Sequence, residues 1–172
     1  GNESTAMGYD TTASGEASTA MGYSTTASAE SSTAMGRITT ASGSYSTAMG
    51  YGSTASGTRS FAGGLYTVAS GGGSFAFHSG TTASGTNSTA LGRVTVASDY
   101  ASVVIGQYNS SGSSATSANS FSTSAPAFVI GNGTSGSLSD AFKVMFNGDA
   151  TVSNDLTVSG DVNIVSDARL KS

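Results

Sequence analysis

Residues 4–17 read STAMGYDTTASGEA, and the same fourteen-residue unit recurs six more times without insertion or deletion. The copies are STAMGYSTTASAES (18–31), STAMGRITTASGSY (32–45), STAMGYGSTASGTR (46–59), SFAGGLYTVASGGG (60–73), SFAFHSGTTASGTN (74–87) and STALGRVTVASDYA (88–101). An eighth copy opens at Ser102 (SVVIGQYNSSG) and then loses the pattern. A fixed period of this length means one structural unit stacked on its neighbours along an axis.

The invariant positions identify the unit. With each copy numbered 1 to 14, position 3 is always Ala (Ala6 to Ala90), position 10 is always Ala (Ala13 to Ala97), and positions 1 and 11 are always Ser. The two alanines lie half a period apart, which predicts two similar short segments joined by two turns. Glycine holds position 5 in six of the seven copies and is usual at position 12, so the reading puts a flexible residue at each turn. A helix of two heptads fails, because each copy carries too many Gly, Ser and Thr and no leucine seam. Alternation over about five residues between glycines fits strands instead. The expected unit is a flat coil of two strands, rising about 4.8 Å per coil and about 34 Å over seven coils.

Strand alternation places positions 3 and 10 inside the coil and positions 2 and 4 outside. Two alanine ladders make a thin core for a chain of this size. The outside file is larger: Met7, Met21, Met35, Met49, Phe61, Phe75, Phe77, Leu91, Val103 and Ile105, with threonines between. An exposed apolar stripe of this length is an aggregation hazard unless it is an interface. The chain is therefore expected to associate with copies of itself through these residues, about an axis parallel to the stack.

The block S-T-A-M-G-x-x-T-T-A-S-G resembles the head repeat of trimeric autotransporter adhesins of the YadA type, written N-S-V-A-I-G-x-x-S-x-A-x-G. The resemblance covers residues 4 to about 108. It implies a left-handed parallel β-roll, three of which pack about a central axis with the V and I positions inward. Here Thr and Met hold those positions in four copies, and Val103 and Ile105 hold them in the eighth.

Composition sets outer bounds. Only 9% of the 172 residues are charged, the net charge is −4, and there is one Pro and no Cys or Trp. Gly-, Ser-, Thr- and Ala-rich chains approach low complexity, and the strict period is what argues for order. Six basic residues leave no electrostatic footprint for nucleic acid. No apolar run is long enough to span a membrane, so no direct membrane insertion is expected. Gly1 to Glu3 is no signal peptide, and the lack of Cys fits an exported surface protein or a cytosolic assembly.

Four regions are expected. Residues 1–106 form the roll. Residues 107–125, QYNSSGSSATSANSFSTSA, break the period and read either as a solvated linker or as a loop projecting towards a receptor. Residues 126–165 form a trimeric β connector of interdigitated hairpins, with a strand in PAFVIGNG, a hairpin from Ala141–Phe146 through Asn147-Gly148 to Ala150–Val152, and two short strands around Ser159-Gly160. Residues 166–172 close the chain. Ser166-Asp167-Ala168-Arg169-Leu170-Lys171 resembles the opening S-D-x-R-x-K of the C-terminal intramolecular chaperone of phage endosialidases and tail spikes, the peptidase S74 type. That resemblance implies a chaperone that trimerises a β-fibre and then cuts itself off, with Ser166 as nucleophile and Lys171 as general base. The chaperone body is absent from this sequence, so the dyad is read as an inactive remnant and the chain as no enzyme.

Other candidate chemistry is sparse. Tyr9, Tyr23 and Tyr51 share position 6 with Arg37 and Arg93. This aromatic-basic file is read either as a glycan-binding ladder or as a structural one. His78 replaces glycine at position 5 without a ligating neighbour, so a hydrogen-bonded histidine is favoured over an ion site. Phe61, Phe75 and Phe77 beside Gly63 read as size compensation. The scattered acids form no convincing pair for glycoside hydrolysis. The expectation is an all-β fibre segment, extracellular, on a bacterial surface or a phage or virus tail fibre. It needs no cofactor or metal, and its partners are itself as a homotrimer and a host-surface glycan or protein receptor. A passive spacer holding a separate tip is the alternative.

Overall fold

The computed structural model describes residues 1–159, and every regular element in them is a strand. The first repeat forms β1 (Thr5–Tyr9) and β2 (Thr12–Ala13). The next five give the pairs β3 (Thr19–Tyr23) and β4 (Thr26–Ala27), β5 (Thr33–Arg37) and β6 (Thr40–Ala41), β7 (Thr47–Tyr51) and β8 (Thr54–Ala55), β9 (Phe61–Leu65) and β10 (Val68–Ala69), and β11 (Phe75–Ser79) and β12 (Thr82–Ala83). The seventh gives β13 (Thr89–Arg93) and β14 (Val96–Ala97), and β15 (Val103–Gln107) opens the eighth. Long strands stack on long strands and short on short, all parallel. Register is position on position, from Met7↔Met21 to Leu91↔Ile105. This is the expected parallel β-solenoid with a fourteen-residue step.

The interior is narrower and more polar than two alanine ladders. Alanines at positions 3 and 10, from Ala20 to Ala97, have no exposed surface. Between them run two buried files that the sequence reading did not place inside: Ser at position 1 (Ser18, Ser32, Ser46 onward) and Thr or Ser at position 8 (Thr25, Thr39, Ser53 onward). Some of these hydroxyls find partners inside the coil, while those of Thr25, Thr39, Ser60, Ser74, Thr81, Ser88 and Thr95 are buried without one. Ser18 Oγ donates to the Gly15 carbonyl at 2.7 Å, Ser46 Oγ to the Ala55 carbonyl across the coil at 3.2 Å, and Thr67 Oγ1 to Ser53 Oγ at 3.0 Å. With little apolar area buried, the ladders of backbone hydrogen bonds between coils carry much of the order.

The turns keep the reading at position 12, where Gly43 opens a turn closed by Ser46 N donating to Gly43 O at 3.1 Å, and depart from it at position 5. Position-5 glycines lie within the long strands, at φ between +95° (Gly106) and +130° (Gly8). A Cβ on Gly22 would stand 2.0 Å from the Gly36 carbonyl oxygen, so close backbone approach excludes side chains there. The left-handed corner residues are at positions 7 and 14, and most of them are not glycine: Asp10, Ser24, Ile38, Tyr66 and Val94 on one side, Ala17, Ser31, Tyr45, Arg59 and Asn87 on the other, all with φ of 51–61°. From Ala17 onward these corner amides donate to the coil before, as Ile38 N to Tyr23 O at 2.9 Å and Tyr45 N to Glu30 O at 2.8 Å. That bond offsets the left-handed conformation, which carries no glycine signature.

Residues 107–125 are neither a linker nor a projection. Gln107 ends β15, and the remainder folds back onto the last coil. The Asn109 side-chain amide accepts from Val96 N at 2.8 Å and donates to Val96 O at 2.9 Å, pairing with β14 as a peptide would. Ser98 N donates to Gly112 O, Tyr100 N to Ser117 O and Thr86 N to Ala118 O. The buried Asp99 carboxylate receives the Thr116 and Ser117 amides, each at 2.6 Å. The segment thus covers the edge of the short sheet, using polar side chains where apolar contacts are lacking.

The boundary at 126 is corrected as well. Strand β16 (Pro126–Asn132) pairs parallel with β15, Val103↔Phe128 through Gln107↔Asn132. It occupies the long-strand place of one more coil, reached after 25 residues instead of 14. Val129 sits at the interior position and is fully buried. Strands β17 (Asp140–Met145) and β18 (Ala150–Val152) then extend the same sheet antiparallel, joined by the Asn147-Gly148 turn. Leu156 to Ser159 take no strand conformation, and the rest of the expected second pair lies outside the described residues.

Candidate functional site

The stripe assembles from strand alternation alone. Met7, Met21, Met35, Met49, Phe61, Phe75, Phe77, Leu91, Val103 and Ile105 all fall on the face opposite the buried alanines, in one in-register file pair. Met7 is 60% exposed in the single chain, and most of the others are half-buried among themselves. Phe61 and Phe75 stack at 4.8 Å between centroids. Gly63 makes room for them, since a Cβ there would lie 2.8 Å from the rings of Phe61 and Phe77. The stripe continues further than expected. Phe128 and Ile130 follow Val103 and Ile105, and antiparallel pairing sets Val144 opposite Phe128 and Phe142 opposite Ile130. The signal was present: A-F-V-I-G at 127–131 has the spacing of S-V-V-I-G at 102–106.

The position-6 file divides in two. Tyr9 and Tyr23 stack at 5.0 Å with ring planes 12° apart, and the Arg37 guanidinium lies between Tyr23 (5.3 Å) and Tyr51 (5.4 Å). Tyr66, a corner residue at position 7 that the sequence reading did not include, meets Tyr51 edge-on at 5.2 Å. Arg93 stands apart, beyond Leu65 and Ser79, and packs on Tyr108 at 5.6 Å. Tyr23 is flanked on both sides, and Arg37 takes up ring faces that a sugar would need. Tyr9, Tyr23 and Tyr66 remain exposed, and Tyr51 is half-buried. On the opposite corner, the Tyr45 hydroxyl donates to Glu30 Oε1 at 2.9 Å. This hydrogen bond first, and the carboxylate charge second, raise the Tyr45 pKa above the ordinary value of 10.

His78 keeps the backbone geometry of the glycines it replaces, φ 99°, and sets its ring edge-on to Phe77 at 4.7 Å. Among the described residues no three His, Cys, Asp or Glu side chains are grouped to hold a metal, and no helix is long and apolar enough to cross a membrane. Ser166 and Lys171 lie outside the described residues.

Fold and stripe together define a β-roll head built from adhesin-type repeats. Residues 1–23, 13–37, 41–67 and 83–109, together more than half of the chain, match the family described as YadA head domain repeat (2 copies). The chain belongs to the YadA head-repeat family. The match lapses over 68–82, the stretch that carries Phe75, Phe77 and His78 in place of the motif residues. No curated protein matches the chain.

Proposed function

We propose that this chain is a segment of a homotrimeric extracellular fibre, on a bacterial surface or a phage or virus tail, that mediates adhesion or host recognition by non-covalent binding. The observation that carries the proposal is the stripe. It runs unbroken from Met7 to Ile130 and on to Phe142 and Val144, and a single chain leaves it in water. Three stripes facing a common axis remove that cost. The test is solution mass by light scattering at low and high concentration. The trimer predicts a mass near three times 16.8 kDa at both, and Met35→Lys, a charge placed at mid-stripe, predicts dissociation. A monomeric parent chain overturns the proposal.

The same reading makes Ser166 and Lys171 the remnant of a chaperone that matured the fibre and gives this chain no catalytic role. The receptor is a surface glycan or protein, and the exposed corner carrying Tyr9, Tyr23, Arg37 and Tyr51 is the first place to seek contact. One observation favours the second reading, a passive spacer: the ladder satisfies itself, ring on ring and cation on ring. A glycan-array or cell-binding assay on the trimer separates the two, positive for an adhesin and blank for a spacer.

A further inference from the structure

The cleft between the folded-back segment and the hairpin has no part in the stripe or the ladder. It holds about 510 Å³ and is walled by Ser110 and Ser111, Asn132, Ser139 and Asp140, Lys143 and Ser153. This volume suits a small ligand, and the walls are mostly hydroxyl and amide.

Lys143 is its single cation, and strand pairing fixes where it points. In the β16–β17 ladder Lys143 is opposite Val129, an interior residue, whereas Phe142 and Val144 are opposite Ile130 and Phe128 of the stripe. Alternation therefore turns Lys143 away from the stripe, so the cleft stays open whether or not the stripe is covered. The one carboxylate in the cleft belongs to Asp140 and is held by backbone amides. Asp140 uses Oδ1 for the Ser110 amide and Oδ2 for the Ser111 amide, both at 2.8 Å, and among the described residues it forms no ion pair with Lys143. Those two bonds also fix the wall that presents the Ser110 and Ser111 hydroxyls. On the far side Ser139 Oγ is held by Asn132 Oδ1 at 2.6 Å, and Ser153 Oγ by the Asp140 carbonyl. The arrangement is a half-buried Lys143 side chain with no ion pair among the described residues, set beside positioned hydroxyl and amide groups and the amide-bound Asp140 carboxylate.

We infer that this cleft binds an acidic saccharide unit, with Lys143 taking the carboxylate and the serine and asparagine side chains taking ring hydroxyls. An ammonium with no ion pair favours an anionic partner over a neutral one, and the hydroxyl and amide groups with the Asp140 carboxylate beside it favour a polyol carrying that charge over a bare ion.

The probes are D-glucuronate and D-glucose, which share a ring and differ in the carboxylate, and inorganic phosphate. Each is titrated into the intact chain and followed by backbone amide shifts or calorimetry. Glucuronate is expected to shift the amides of 110–111, 139–143 and 153. Glucose is expected to bind at least tenfold more weakly. Lys143→Ala is expected to bring glucuronate down to the glucose level, and Lys143→Arg to retain most of its binding. The parent mass and melting temperature in both variants show that the fold is intact, and Ser111→Ala, which keeps the Asp140 contact, is a second variant expected to weaken glucuronate severalfold. Glucuronate binding that survives Lys143→Ala, glucose binding as well as glucuronate, or phosphate binding as well as glucuronate would each overturn the assignment. None of these outcomes depends on the trimer, which the mass measurement tests separately.

Discussion

In the seven periodic coils the interior is alanine and hydroxyl, whereas from β15 onward it is valine: Val104 and Val129 occupy the place of Ala20 to Ala90, equally without exposure. The stripe changes in the same direction, from Thr and Met to Phe and Ile. The difference lies in what closes the coil. Up to β14 each coil has a long strand and a short strand facing it, and the distance between them admits a methyl group. Beyond β14 the short sheet ends, and the segment from Tyr108 to Ala125 takes its place, with Gly112 set against Val104. Interior side-chain size is thus set by how many sheets enclose the coil, and the repeat keeps alanine because its own backbone leaves no more room.

The strongest challenge to that account is to enlarge the closed interior. Ala48→Leu, with the neighbouring coils in contact above and below, is expected to cost about 3 kcal/mol, seen as a lowered urea midpoint at fixed protein concentration. If it is tolerated, the closed coils are not filled. At the open end the opposite change applies: Val104→Ala is expected to cost about 2 kcal/mol through lost burial and a small cavity. Close backbone approach is tested by Gly50→Ala, where φ is +102° and the added Cβ would meet the Gly64 oxygen at 2.2 Å. Its cost is expected at about 2 kcal/mol, while Gly136→Ala, with open space around it, is expected to stay within about 0.5 kcal/mol. A gain is expected at a corner, since Ile38 is β-branched at φ 57° and Ile38→Asn relieves about 1 kcal/mol, raising the melting temperature. The smallest effect is spectroscopic. Glu30→Gln removes the charged acceptor of Tyr45, so the ultraviolet titration of that tyrosine is expected to move back down towards its ordinary range. The sign follows from the raised pKa: the contact is intact below the ordinary tyrosine range and is lost as pH rises through the Tyr45 value.

Much of this was legible in the residues themselves. Invariance at positions 3 and 10 gave the inward files, the period gave the stack, and alternation gave the stripe from Met7 to Ile105. Three features were not legible. The position-8 hydroxyl file hid among threonines that read as ordinary strand residues, because nothing local marks them as inward, and four of them (Thr25, Thr39, Thr81 and Thr95) are buried without a hydrogen-bond partner. The corners at 7 and 14 carry Asp, Ile, Val, Tyr and Arg, and what permits a left-handed residue there is a hydrogen bond to the coil before, which no local pattern encodes. Residues 108–125 resemble a linker by composition, yet Asn109 and Asp99 tie them down through single side chains at long sequence separation. At the candidate site, position 6 pointed to Tyr9, Tyr23, Arg37 and Tyr51, but Tyr66 and Tyr108 join only because the corner follows directly.

The parallel stack also has a mechanical consequence. Hydrogen bonds between coils run along the axis, so tension applied to the chain ends loads them one coil at a time, as in peeling. Each released coil turns fourteen residues from about 4.8 Å of stack into about 48 Å of extended chain. The roll is therefore a spring with discrete stops, lengthening in equal steps and dissipating work at each one.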